Sequence, residues 1–125
     1  LDGGAKMAKM VTLSMQPLVF EIEDFLTIDE CDYIQEFSRP HMAQSGVSLM
    51  DKDKGKAATD WRTSSTYFMQ SGPHRPLHRI DERVAELTLV PKSHQEYVQV
   101  LKYDETQKYD AHHDYFDPRL YAKDK

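Results

Sequence analysis

The chain has a single cysteine, Cys31, among its 125 residues. One thiol closes no intramolecular disulfide, and a zinc site built on several thiolates is excluded. Ile28, Cys31, Ile34 and Phe37 recur at helical spacing, and free cysteines are usually enclosed, so Cys31 reads as a buried structural thiol. Long apolar runs are also absent, none approaching the ~20 residues of a membrane span. The basic residues form no stripe with interleaved aromatics and the net charge is −5, which argues against nucleic acid as a partner. The sequence has no internal repeat and no low-complexity tract.

What is present fits a somewhat polar globular chain, 39% hydrophobic and 30% charged. Its length allows at most one domain, which would bury roughly two-thirds of its unfolded surface. Residues 1–16 are rich in Gly, Lys and Met without the apolar core of a signal peptide, and read as a mobile leader. Residues 17–125 read as the folded portion.

Leu18 to Phe25 reads as a strand. Thr27 with Glu30 three residues later is a capping box that opens a helix, and Pro40 closes it. Asp51 to Lys56 is a charged turn. As a calcium loop it would need its glycine one position later and a Glu where Arg62 stands. Arg62 to Met69 is rich in strand formers, and Ser71, Gly72, Pro73 and Pro76 mark a loop. A second helix is predicted from about His78 to Thr88. Its apolar side carries Ile80, Val84 and Leu87, its wet face Asp81, Glu82, Arg83 and Glu86. Tyr97 to Tyr103 alternates as a strand, and a polar turn leads to a last strand holding His112-His113-Asp114.

His112 and Asp114, two apart on a strand, would share a face with Cα atoms roughly 6.5 Å apart. An imidazole and a carboxylate on one face suit a single cation, and such a set with open positions is the ligand pattern of non-haem iron(II) oxygenases. The same pair occurs in many proteins as an ordinary hydrogen-bonded couple on a polar strand. Here Tyr109, Tyr115 and Phe116 bracket it, as the walls of a small-acid pocket would. Alternation turns His113 to the opposite face, outside the ligand set. His41, His74, His78 and His94 lie in loop or helix-start patterns and read as surface residues.

Four stretches, taken in order, resemble the prolyl 4-hydroxylase family of 2-oxoglutarate- and iron(II)-dependent dioxygenases. They are Arg62-Thr63-Ser64-Ser65, Arg79-Ile80-x-x-Arg83-Val84-Ala85, Glu96-x-x-Gln99-Val100-Leu101-Lys102-Tyr103, and Gln107-Lys108-Tyr109-x-x-His112-x-Asp114-Tyr115-Phe116. The likeness runs from about Leu18 to Pro118, and its last motif is the most specific. It implies an α+β chain forming the N-terminal part of a double-stranded β-helix, or jelly roll, with two supporting helices. It implies iron ligation by His112 and Asp114, and a hydrogen bond from Tyr103 to the distal carboxylate of 2-oxoglutarate. Tyr109, Ser64, Glu96 and Arg62 would line a peptide groove.

The implied activity is that of procollagen-proline 4-dioxygenases. They hydroxylate peptidyl proline at C4, consume O2 and 2-oxoglutarate, release succinate and CO2, and use ascorbate as reductant. A neutral imidazole is needed to bind the metal, so affinity would fall at acid pH. The family's third ligand, a later His, and a following Lys or Arg for the oxoacid have no counterpart here, since no His follows Asp114. The chain is therefore expected to be the N-terminal portion of such a catalytic domain. Other readings are a non-catalytic peptide-binding module, a related dioxygenase acting on lysine, a free amino acid or a small molecule, and a plain structural domain. The resemblance suggests the endoplasmic reticulum lumen, with the cytoplasm as the alternative.

Overall fold

The computed structural model describes residues 8–121. Within them the chain combines two helices with antiparallel sheet. Strands β1 (Lys9–Met15) and β2 (Leu18–Glu23) form a hairpin. Strands β3 (Ala43–Gln44), β4 (Ser65–Met69) and β5 (Val98–Lys102) form a three-stranded sheet in that order. Helices α1 (Ile28–Ser38) and α2 (Arg75–Thr88) lie between the strands in sequence. Among the described residues no helix is long and apolar enough to cross a membrane.

The segment expected to be a leader is paired from Lys9 onward, in register with β2 from Lys9↔Glu23 to Met15↔Leu18. Residues 1–7 of that segment lie outside the described ones. Val11-Thr12-Leu13-Ser14-Met15 does alternate apolar and polar side chains, a strand signal that the segment's Lys- and Met-rich composition obscured.

Helix α1 starts where the capping box predicts. Thr27 Oγ1 accepts from the Glu30 backbone N–H, and the Thr27 backbone N–H donates to Glu30 Oε2 at 2.9 Å. Asp29 and Glu30 place negative charge at the positive end of the helix dipole. Cys31 is half-buried on this helix rather than fully enclosed. Helix α2 begins three residues earlier than predicted, because Pro76 sits within its first turn, where a missing N–H costs nothing. It ends at Thr88, and Leu89 takes a left-handed φ of 59°. Arg83, assigned by sequence to the wet face, instead reaches across to α1 and donates to both Glu30 oxygens at 2.7 Å. Leu87, assigned to the apolar side, is largely exposed.

The core is small and one-sided. Met69, Leu77 and Ile80 are buried, with Phe37, Tyr67, Val98 and Val100 packed against them. Strand register explains this. Met69 pairs with Val98 and Tyr67 with Val100, so these four share the face that the helices cover. The opposite face, through Thr66, Phe68, Gln99 and Leu101, stays open, with Phe68 49% exposed. That open face floors the site. His74, read from sequence as a surface residue, is buried behind the covered face, its Nδ1 2.8 Å from the Tyr33 hydroxyl.

Candidate functional site

The His112–Asp114 segment departs from its predicted form. It is not a strand. Antiparallel pairing with the stretch before β4 includes the Arg62↔Tyr109 bridge, the Thr63 N–H to Lys108 carbonyl bond and the Asp110 N–H to Trp61 carbonyl bond, both 2.9 Å. The next partners would be Asp60 and its predecessors, but Ala58–Asp60 is a turn of 3-10 helix. A wound backbone offers no extended ladder to pair with, so residues 111–116 run as irregular chain.

The two expected metal ligands nevertheless converge. His112 Nε2 lies 3.3 Å from Asp114 Oδ1. His112 Nδ1 is 2.7 Å from the Asp110 carbonyl oxygen, which can only accept, so Nδ1 carries the proton and donates. That tautomer leaves the Nε2 lone pair free and aimed at the carboxylate side. The Asp114 side chain is 98% exposed and fully able to take a cation. These two donors fit a divalent ion that keeps its other positions for exogenous ligands. Among the described residues no group of three or more His, Cys, Asp or Glu side chains is gathered for a metal.

Around the pair runs an open cleft of about 770 Å3, with Arg62, Glu96, Gln99 and Tyr109 on its walls alongside His112 and Asp114. Five of the seven residues singled out by sequence thus meet in one depression. Tyr103, just beyond β5, is half-exposed and is not among the residues lining this cleft. Ser64 does not line the cleft either. It is fully buried, its Oγ accepting from Arg62 Nε at 3.1 Å and lying 3.0 Å from Ser45 Oγ. Its part is to hold Arg62 rather than to face a ligand.

A second, smaller cavity of about 230 Å3 is walled by Leu49, Met50, Trp61, Tyr109 and Tyr115 and lined by both His112 and His113. His113, expected on the opposite face, also lines the cleft, because the irregular backbone does not alternate. Sequence reasoning missed the Asp110 carbonyl that fixes the imidazole, and the Gly46 carbonyl that receives Arg62 Nη1 at 3.4 Å. Backbone acceptors leave no mark in residue type. Asp117 closes the segment by binding Arg119 through both carboxylate oxygens, at 2.6 and 3.0 Å, and these bonds hold its carboxyl below the usual range.

No family model matches the chain. Curated plant proteins do. "Probable prolyl 4-hydroxylase 3" of Arabidopsis thaliana is 39% identical over 105 residues, covering 83% of this chain and 36% of that protein. "Prolyl 4-hydroxylase 2" of the same plant is 36% identical over 114 residues, covering 90% of this chain and 38% of that protein. "Prolyl 4-hydroxylase 1" is 34% identical over 110 residues, covering 86% of this chain and 38% of that protein. The chain thus spans well under half the length of these relatives. With identities of 34–39% to these relatives across most of its length, the chain belongs to the prolyl 4-hydroxylase family.

Proposed function

We infer that the chain supplies the front half of an iron(II)- and 2-oxoglutarate-dependent dioxygenase site that hydroxylates peptidyl proline at C4. The observation that carries this reading is the pairing of His112 Nε2 with Asp114 Oδ1 at 3.3 Å, with Nδ1 already committed to the Asp110 carbonyl. A cation between them would be held by a neutral nitrogen and a carboxylate, with its remaining positions toward the open cleft. When bound there, iron(II) with 2-oxoglutarate and O2 supplies the oxidising equivalents, one oxygen atom entering the proline and the other the succinate released with CO2, and ascorbate serves as reductant. In this reading the three-stranded sheet is one wall of a jelly roll. Tyr103 hydrogen-bonds the distal carboxylate of 2-oxoglutarate, and Tyr109, Glu96 and Arg62 border the peptide groove.

What the chain's own residues contribute is orientation. The Asp110 carbonyl fixes the imidazole tautomer. Asp114, exposed and without a cationic partner other than His112 among the described residues, keeps its lone pairs for a metal. Tyr109 and Phe116 supply aromatic surface to the same open cleft.

The test has two arms. Binding of cobalt(II) to the chain, read by calorimetry, is expected to fall at least tenfold in His112→Ala and in Asp114→Ala, since each removes one of two donors. Binding unchanged in both variants would reduce the pair to a surface hydrogen bond. Succinate formation by the complete protein is expected to rise with proline-rich peptides and not with free proline or lysine. Stimulation by a free amino acid alone would point to another dioxygenase, and peptide binding without turnover to a binding module.

A further inference from the structure

Arg62 is an unusual cation. It is only 6% exposed, and among the described residues no carboxylate pairs with it. A buried guanidinium without a counter-charge is costly unless its protons and its face are otherwise satisfied. Here Nε donates to Ser64 Oγ at 3.1 Å and Nη1 to the Gly46 carbonyl at 3.4 Å. The guanidinium carbon, Cζ, lies over the Tyr109 ring, 4.3 Å from its centroid. The same ring is stacked on the His112 imidazole, with centroids 3.8 Å apart and planes 21° from parallel. Two planar groups this close to one centroid would overlap on the same face, so they occupy opposite faces. The result is a stack of three: guanidinium, phenol ring, imidazole.

The geometry points to Arg62 as a positioning residue that sets the plane of the His112 imidazole through the Tyr109 ring, an inference that rests on His112 being a metal ligand. The chain needs such a device. Residues 111–116 have no ladder partner, so backbone pairing does not fix where His112 points. The Asp110 carbonyl fixes one ring nitrogen but leaves the ring free to tip about that bond. Stacking on Tyr109 removes the tipping, and Arg62, itself fixed by Ser64 and Gly46, prevents Tyr109 from yielding. Arginine suits the place because a flat guanidinium packs on an aromatic face while its edge donates, which an ammonium cannot do.

The experiment reads the stack without metal and the ligand role with it. In the metal-free full chain, the ring protons of His112 are expected upfield of an exposed histidine's by proton NMR, because they lie over the Tyr109 ring. Tyr109→Leu should abolish that displacement and Tyr109→Phe should keep it. Arg62→Lys should reduce it, although the charge is retained. Ser64→Ala should move it the same way, and serves alone if the Arg62 variant does not fold. Cobalt(II) affinity should drop about tenfold in Tyr109→Leu and in Arg62→Lys, with the double variant no weaker than Tyr109→Leu. The proposal fails if the wild-type His112 protons show no upfield displacement. It fails equally if Arg62→Lys and Ser64→Ala both leave them in place, or if the two affinity losses multiply. A displaced His112 that cobalt(II) does not perturb would instead sink the metal reading and leave the stack intact.

Discussion

Ser64 carries no charge and meets no solvent, yet two polar groups depend on it. Arg62 Nε and Ser45 Oγ both bond to its hydroxyl in a region closed to water. Family likeness suggested a groove-lining serine. Burial gives it a supporting part, and the Arg-x-Ser spacing contains the reason: side chains two apart on extended backbone share a face. Ser64→Ala would leave a guanidinium N–H and a hydroxyl without partners. We expect it to lower unfolding free energy by about 1–3 kcal/mol in denaturant titrations, the usual cost of an orphaned buried polar group. A loss below a few tenths would mean that Arg62 finds another acceptor. That His112 and Asp114 approach each other was legible, because their type and spacing announce it. The imidazole's orientation was not, because a main-chain carbonyl and the stacked ring of Tyr109, neither announced by spacing, bear on it.

At the scale of elements, α1 was the most legible. Its capping box, apolar spacing and proline stop are all local signals, and the helix runs where they place it. Thr27→Ala is expected to cost about 1 kcal/mol, as cap removals do. Glu30 ties this helix to α2. Burial pushes its carboxyl up, but the hydrogen bonds from Arg83 and the Thr27 backbone, with the Arg83 charge, outweigh that and hold it below the ordinary carboxylate value. A carboxyl depressed in the folded state stabilises the protein above its unfolded pKa, and that contribution is lost as pH falls through the folded value. Melting temperature should therefore decline with acid across that interval in the wild type, and Glu30→Gln should flatten this part of the profile while lowering stability at neutral pH. The parallel failure of the His112 strand is equally physical. Period-two spacing was present, but a strand also needs a partner, and the partner winds into a 3-10 turn at Ala58–Asp60.

Across the whole molecule, strands β2, β4 and β5 were readable from the sequence, but β1 and β3 were not, and neither was the side each sheet face turns to. Alternation says that Met69 and Phe68 oppose each other. It does not say which one meets the helices. The structure answers with Met69, fully buried beside Leu77, while Phe68 and Leu101 stand open on the cleft side. Stability should therefore be lopsided across one sheet. Leu77→Ala removes a side chain with no solvent contact and leaves a void between α2 and β4, so it should cost about 2–5 kcal/mol. Phe68→Thr exchanges a half-exposed ring for another good strand former, and should cost under about 1 kcal/mol. Exposed apolar surface also drives association, so the same substitution should reduce concentration-dependent self-association in sedimentation. Equal losses from the two substitutions would mean that the open face is packed in solution as tightly as the covered one, and the cleft above His112 and Asp114 would then have to be closed by other parts of the chain or by a second molecule.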